Sequence, residues 1–145
     1  MKLWMKAAIA VVVLGIIGAF LVYHFVYNKQ HPDYETEAAD FKLEARALYD
    51  AFKTGRDAAA TKYNGKVLEL TGVPGKIEST DSLVIVVFVF NQGDFGDEGV
   101  RCTMMPKYNL EAGRLQPDGE VRIKGYCTGF NDSDVILEQC SIISQ

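Results

Sequence analysis

The chain is poor in the residues on which most metal and nucleophilic sites depend. Only two of its 145 residues are histidine, His24 and His31, and only three are cysteine, with no Cys-x-x-Cys spacing. A structural zinc site takes four Cys or His ligands, and Cys-His or Ser-His-Asp catalysis needs a histidine beside the nucleophile. His24 lies in an apolar run and His31 lies just after it. We therefore expect no metal site, no cofactor and no enzymatic activity.

The chain also lacks an excess of positive charge. The segment Asp33–Gln145 holds all 19 acidic residues and 12 of the 15 basic ones, a net charge of −7. Proteins that bind nucleic acid usually present a basic face, because neutralising phosphates supplies much of their affinity. This composition argues against nucleic acid as the partner. A local basic patch, for example Arg122 and Lys124 with Lys76, is still compatible with it.

One long apolar run stands at the N-terminus. The 21 residues Ala7–Tyr27 contain no Asp, Glu, Lys or Arg, and as a helix they would measure about 31 Å, the thickness of a bilayer's hydrocarbon core. A cleaved signal peptide is the alternative. Its apolar region is usually shorter and ends in a small-x-small site, whereas this run ends in bulky aromatic residues. The run therefore predicts an uncleaved membrane anchor.

The charges beside the run predict its orientation. Lys2 and Lys6 precede the span and Lys29 follows it. The positive-inside rule then places residues 1–6 in the cytoplasm and exports the C-terminal domain, as in a single-pass inner-membrane protein with a periplasmic domain. Residues 28–33 are the linker. Gly15 and Ala19 form a small-xxx-small pair through which two spans could pack as a homodimer.

Residues 34–65 are predicted to be helical. Five apolar residues at alternating spacings of three and four share one face of a helix over Glu37–Lys53, which Thr54-Gly55 ends; they are Ala38, Phe41, Ala45, Leu48 and Phe52. A second short helix over Arg56–Lys62 stops at Asn64-Gly65.

Residues 66–145 show the pattern of strands. Five are expected: a long one from Val67 to Ile77 bent at Gly72 and Gly75, then Leu83–Phe90, Val100–Met105, Glu120–Cys127 and Asp134–Ile143. Asn91–Gly99 is expected to be a polar loop and Phe130–Ser133 a hairpin turn. The eight successive apolar residues of Leu83–Phe90 need cover on both faces, for which the first helix is available. The order predicts a small closed barrel preceded by helix.

Several spaced segments carry a resemblance. The segment from Thr61 to Gly72, the pieces Val100-Arg101-Cys102 and Val121–Gly129, and the piece Val135–Cys140 are similar in order and pattern to the bacterial tRNA-anticodon-like OB-fold family. The resemblance spans roughly Leu48–Ile143. It implies a mainly β fold, a five-stranded OB barrel preceded by a helix, in a small envelope protein. It implies no catalytic residues.

An OB barrel usually binds its ligand on the face of strands two and three and on the loops beside them. The resemblance therefore makes four aromatic residues candidates for ligand contact, because rings at such sites stack on bases or sugars; they are Phe95, Tyr108, Tyr126 and Phe130. The alternative is that these rings pack on the barrel or shield its ends.

The three cysteines allow one disulfide if the domain is exported. In an OB barrel strands three and five are neighbours, which favours Cys102–Cys140. A Cys127–Cys140 bridge and unpaired core thiols are the alternatives.

Together these observations predict a membrane-anchored, non-catalytic binding or adaptor module of the cell envelope, with a protein, peptide or glycan as its ligand. Two alternatives stay open. One is single-stranded nucleic-acid binding by the same face, and the other is a structural subunit of a membrane complex.

Overall fold

The computed structural model describes residues 2–27, 34–116 and 118–143. The chain divides into two compact units, Met1–Pro32 and Asp33–Gln145. In the first unit, helix α1 (Leu3–Val22) continues as one π-helical segment, Tyr23–Tyr27. The stretch Leu3–Val26 is long and apolar enough to cross a membrane by length and composition.

The second unit begins with a short strand and two helices. Strand β1 (Phe41–Glu44) is followed by α2 (Ala45–Thr54) and α3 (Arg56–Tyr63). One face of α2 is buried through Ala45, Leu48, Tyr49 and Phe52. The 3–4 spacing of these residues explains both the helix and its contact with the sheet.

The prediction of a helix from Glu37 is wrong over its first two turns. Asp40 pairs with Val67 through its backbone N–H (2.8 Å to Val67 O) and through its carboxylate, which accepts the Val67 N–H at 2.9 Å. These bonds hold the following residues as β1, parallel to the next strand, with Phe41 opposite Leu68. Phe41 therefore belongs to a strand, and its spacing of four from Ala45 is coincidental.

Six further strands follow. They are β2 (Val67–Gly72), β3 (Lys76–Ser79), β4 (Val84–Gly93), β5 (Gly96–Met104), β6 (Val121–Phe130) and β7 (Asp134–Ile142). A 3₁₀ turn (Pro106–Tyr108) and the short helix α4 (Asn109–Gly113) lie between β5 and β6. The strands form one sheet in the order β1-β2-β6-β7-β5-β4-β3. Pairing is antiparallel except for β1 with β2 and β5 with β7.

The sheet is OB-like but open, with seven strands, so the prediction of a closed five-stranded barrel needs correction. The long first strand predicted to bend at Gly72 and Gly75 is divided by Val73–Gly75 into β2 and β3, which lie at separate places in the ladder. A Cβ at Gly75 would lie 2.9 Å from Val89, so glycine permits this close approach of the chain to β4. This division adds one strand to the five that were predicted. Strand β1, which pairs with β2, adds the second.

Asn91–Gly99 was expected to be a loop and is instead the end of the β4–β5 hairpin, with only Asp94 and Phe95 in the turn. Polar side chains pair across the two strands: Asn91 Nδ2 donates to Glu98 Oε2 at 3.0 Å, and Gln92 Nε2 donates to Asp97 Oδ1 at 2.7 Å. These cross-strand pairs extend the hairpin without apolar burial.

The core lies between α2 and one side of the sheet. Val84, Val86 and Phe88 point into it from β4. Helix α2 covers that inward side only. On the outward side Val87 is also fully buried, between its cross-strand neighbours Lys76 and Arg101. At Val87, charged cross-strand neighbours and not α2 therefore cover the second face of β4.

Candidate ligand-binding face

A groove of about 460 Å³ follows the outward side of β3, β4 and β5 and ends at the β6–β7 turn. This is the side of the sheet on which OB folds usually hold ligands. Val87 forms part of its floor, Phe95 stands at one end, and Asn131 and Ser133 from the turn form a wall. The other lining residues are Lys76, Glu78, Gly96, Asp97, Glu98, Arg101 and Asp134.

Ion pairs cross the floor of the groove. Glu78 on β3 binds Arg101 on β5, and Lys76 Nζ lies 3.3 Å from Glu78 Oε1. Burial opposes ionisation of Glu78, but hydrogen bonds from Arg101 and Lys76 outweigh it, so the pKa of Glu78 falls below its usual value. The groove therefore presents charges of both signs. Its lining residues include four carboxylates and two cations, and one of the carboxylates, Glu98, is paired with Lys53 of α2.

Asp134 is the buried carboxylate of the groove, with 7% of its surface exposed. Its Oδ1 accepts the Gly99 N–H at 3.0 Å. Burial raises the pKa of Asp134, and this hydrogen bond offsets part of the rise. The preceding turn is held by Asn131, whose side-chain oxygen accepts the Ser133 N–H at 3.1 Å and the Asp134 N–H at 2.7 Å. The wall of the groove is thus fixed by short polar bonds.

Phe95 is the most exposed aromatic residue of this face, at 100%. It occupies a two-residue turn whose strands are fixed by Glu98. That carboxylate accepts hydrogen bonds from Asn91 and from the Tyr49 hydroxyl, both at 3.0 Å, and lies 3.1 Å from Lys53 Nζ. The Asn91, Lys53 and Tyr49 donors, in that order, lower the pKa of Glu98. A rigid support therefore presents an apolar ring to solvent.

The other three candidate aromatics are half-buried and do not line this groove. Phe130 packs on Phe52 with ring centroids 5.6 Å apart, and the Arg56 guanidinium lies 5.5 Å from its ring centroid. Tyr108 and Tyr126 both contact the segment just before β1. Whether any of the four touches a ligand stays a prediction, but only Phe95 is in the groove.

That preceding segment, Tyr34–Glu37, is termed the strap. Tyr34 stacks on Tyr126, with centroids 4.8 Å apart and planes at 17°. Glu35 binds Lys107 and the Tyr108 hydroxyl, which lower its pKa in that order. Lys124 Nζ donates to the backbone oxygens of Glu35 at 2.6 Å and Glu37 at 2.7 Å. Sequence reasoning missed the strap, because its hydrogen bonds join residues between 72 and 89 positions apart.

The three cysteines are free and buried. Burial raises the pKa of Cys127 to about 11 and raises that of Cys140 as well, the latter with a further contribution from a hydrogen bond with Cys102. Cys102 and Cys140 thus come together from neighbouring strands, while their disulfide stays a prediction. Among the described residues no cluster of His, Cys, Asp or Glu could hold a metal ion.

The sequence profile of the tRNA_anti-like family matches residues 1–142. The chain belongs to the tRNA_anti-like family. Its OB-like fold and the candidate groove on the β3–β5 face accord with that membership. No curated protein sequence is significantly similar to this tRNA_anti-like protein.

Solved structures share the fold at low identity. A lipoprotein from Klebsiella pneumoniae subsp. pneumoniae MGH 78578, provisionally described as nucleic acid-binding, aligns with a TM-score of 0.55 at 15% identity and covers 79% of this chain and 100% of its own. A Leishmania major Friedlin protein provisionally assigned as aspartyl-tRNA synthetase aligns with a TM-score of 0.48 at 10% identity, over 81% of this chain and 23% of its own. The first likeness supports the fold alone, and the second carries no argument.

Proposed function

We propose that this protein is a membrane-anchored, non-catalytic binding module of the cell envelope, which holds a protein, peptide or glycan ligand on the β3–β5 face. The observation that carries the proposal is the fully exposed ring of Phe95 at the end of a charged groove. Exposed aromatic residues on a rigid support are typical anchors of interfaces, because they bury much apolar area at small entropic cost.

The apolar helix supports the anchored location. Leu3–Val26 meets the length and hydropathy of a membrane span, and the positive-inside rule favours an exported domain. A structural neighbour that is a lipoprotein is consistent with an envelope location. A cleaved signal would release the same domain into the same compartment, so the proposed binding face would be available in either case.

Single-stranded nucleic acid is the second candidate, favoured by the description of the Klebsiella lipoprotein. The charges of the groove weigh against it. Lys76 and Arg101 are both engaged with Glu78, and three other carboxylates line the same groove: Asp97, Glu98 and Asp134. A phosphate backbone would meet net negative charge there.

In-cell crosslinking tests the proposal. A photoreactive amino acid replaces Phe95 in the full chain, and a second variant carries it at Leu110, which is 70% exposed on α4 and does not line the groove. We expect an adduct with an envelope protein or glycan at position 95 that position 110 does not form. Adducts with nucleic acid alone, or the same adducts at both positions, would contradict the proposal. A reporter fused after the domain checks that it is exported.

A further inference from the structure

A second surface lies on the outward side of β6, under the strap. It consists of Lys124 and Tyr126 on β6 with Lys107 and Tyr108 of the 3₁₀ turn. Each of these four side chains contacts a residue of the strap. We propose that this surface is a binding site for an acidic, tyrosine-bearing peptide segment of a partner protein, and that the strap occupies it as a built-in competitor.

The contacts of the strap define the chemistry of the site. Tyr126 stacks on an aromatic ring. Offset stacking is one of the preferred arrangements of aromatic pairs. Lys107 and the Tyr108 hydroxyl take a carboxylate, and charge-assisted hydrogen bonds of this kind are the stronger ones. Lys124 takes two backbone carbonyls. A peptide with tyrosine followed by glutamate, in the turn conformation that residues 34–36 adopt, offers all of these groups in the same order.

The strap fits the site incompletely. Thr36 and Glu37 are exposed, and a groove of about 440 Å³ remains beside the strap, bordered by Glu35, Tyr108, Lys124 and the end of β7. The hydrogen bonds and the ring stack described above hold the strap to the site, whereas Phe41 packs against the core. Segments with few buried apolar contacts open at low free energy. The strap is therefore displaceable.

Charge complementarity selects an acidic peptide over a nucleic acid. The surface offers two lysines that point to the strap, while the nearby Glu69 is engaged by Lys42 at 3.7 Å and Arg122 at 3.4 Å. Two cations suit one or two carboxylates, whereas a polyphosphate needs a longer basic track. The site is separate from the Phe95 groove, so it does not depend on the function proposed for that groove.

A binding titration on the full chain in mild detergent tests the site. The probe is a fluorescent peptide with the sequence of residues 34–39, YETEAA, and the control peptide is YKTKAA. A strap joined to its own site has an effective concentration in the millimolar range, so micromolar probe should not bind the parent protein. The double variant Tyr34→Ser, Glu35→Ser removes the competitor and should bind the probe at least 10-fold more tightly than the parent.

Adding Lys124→Gln to the double variant should weaken probe binding at least 10-fold, and YKTKAA should not bind. The single variant Glu35→Gln keeps the strap's shape, and its probe affinity should be intermediate. Circular dichroism verifies that each variant is folded. Equal binding by the parent and the folded variants, no binding by either folded strap variant, or preferential binding of a thymidine oligonucleotide would each overturn the assignment.

Discussion

The Tyr49 hydroxyl donates a hydrogen bond to Glu98 Oε2 at 3.0 Å, which joins helix α2 to the β4–β5 hairpin. The two residues are 49 positions apart in the sequence; Tyr49 is buried and Glu98 is partly buried. The same carboxylate binds Asn91 and Lys53. Glu98 therefore fixes the strands that carry Phe95 relative to helix α2.

Removing the Tyr49 hydroxyl tests this connection. Tyr49→Phe keeps the ring against Phe90 but removes a hydrogen bond to a charged group, so we expect a loss of about 1.5 kcal/mol in stability. Thermal unfolding followed by circular dichroism measures it. The control is Tyr34→Phe, which keeps the strap's ring stack and should leave stability unchanged within about 0.5 kcal/mol. Equal losses for both variants would contradict a specific role for the Tyr49–Glu98 bond.

Acid should loosen the same hairpin. The pKa of Glu98 is lower in the fold than its ordinary value of 4.5. The unfolded chain therefore binds more protons in this range, so the contribution of Glu98 is complete above about pH 4.5 and is lost as the pH falls through the lowered pKa. Glu98→Gln should remove this part of the pH dependence, which unfolding midpoints measured between neutral and acid pH would show.

Asp134 titrates with the opposite sign and has to be separated from Glu98. Burial raises its pKa, so its protonated form is favoured in the fold and its contribution decreases as the pH rises through the raised pKa. Both Glu98→Gln and the parent protein contain Asp134, but the charge of Glu98 contributes to the rise of the Asp134 pKa, so their difference reports Glu98 together with this coupling. If the two pH profiles run parallel, the hairpin does not depend on ionised Glu98.

Sequence patterns predicted the elements that are stabilised locally. Helix α3 and strands β4, β6 and β7 follow directly from helical spacing, apolar runs and turn residues such as Asn131. Strand β1 was missed because Phe41 and Ala45 fit a helical period, while the bonds between Asp40 and Val67 that decide the matter join residues 27 positions apart. Local periodicity carries no information about such pairing.

The sequence predicted the exposure of one of the four candidate aromatic residues and not the cover of the other three. Phe95 is an isolated aromatic residue in a polar stretch, and that pattern alone indicates exposure. Tyr108 and Tyr126 were candidates on the same grounds, but the strap covers them. Phe130 is covered by Phe52 and Arg56. Exposure of these three depends on contacts between distant segments, which a single sequence does not reveal.

Gly99 lies on β5 where this strand pairs with β4, opposite Val89. A Cβ at this position would lie 1.7 Å from the Phe88 backbone oxygen, and the Gly99 N–H is the donor to Asp134. Gly99→Ala must therefore displace backbone, and we expect a loss of about 3 kcal/mol or more. At Gly113 a Cβ would meet nothing within 4 Å, so Gly113→Ala should be neutral within about 0.5 kcal/mol. Similar melting temperatures for the two variants would contradict this close approach of Gly99 to the Phe88 backbone.

The thiols should be inert in the folded protein. Cys102, Cys127 and Cys140 are fully buried, and burial raises the pKa of Cys127 to about 11, so little thiolate is present or accessible at neutral pH. A thiol reagent should label none of the three before denaturation. Protein reduced before denaturation should then yield three reactive thiols. Protein isolated from cells without reductant should yield one reactive thiol after denaturation if the predicted Cys102–Cys140 disulfide forms on export. Three reactive thiols would contradict that pairing.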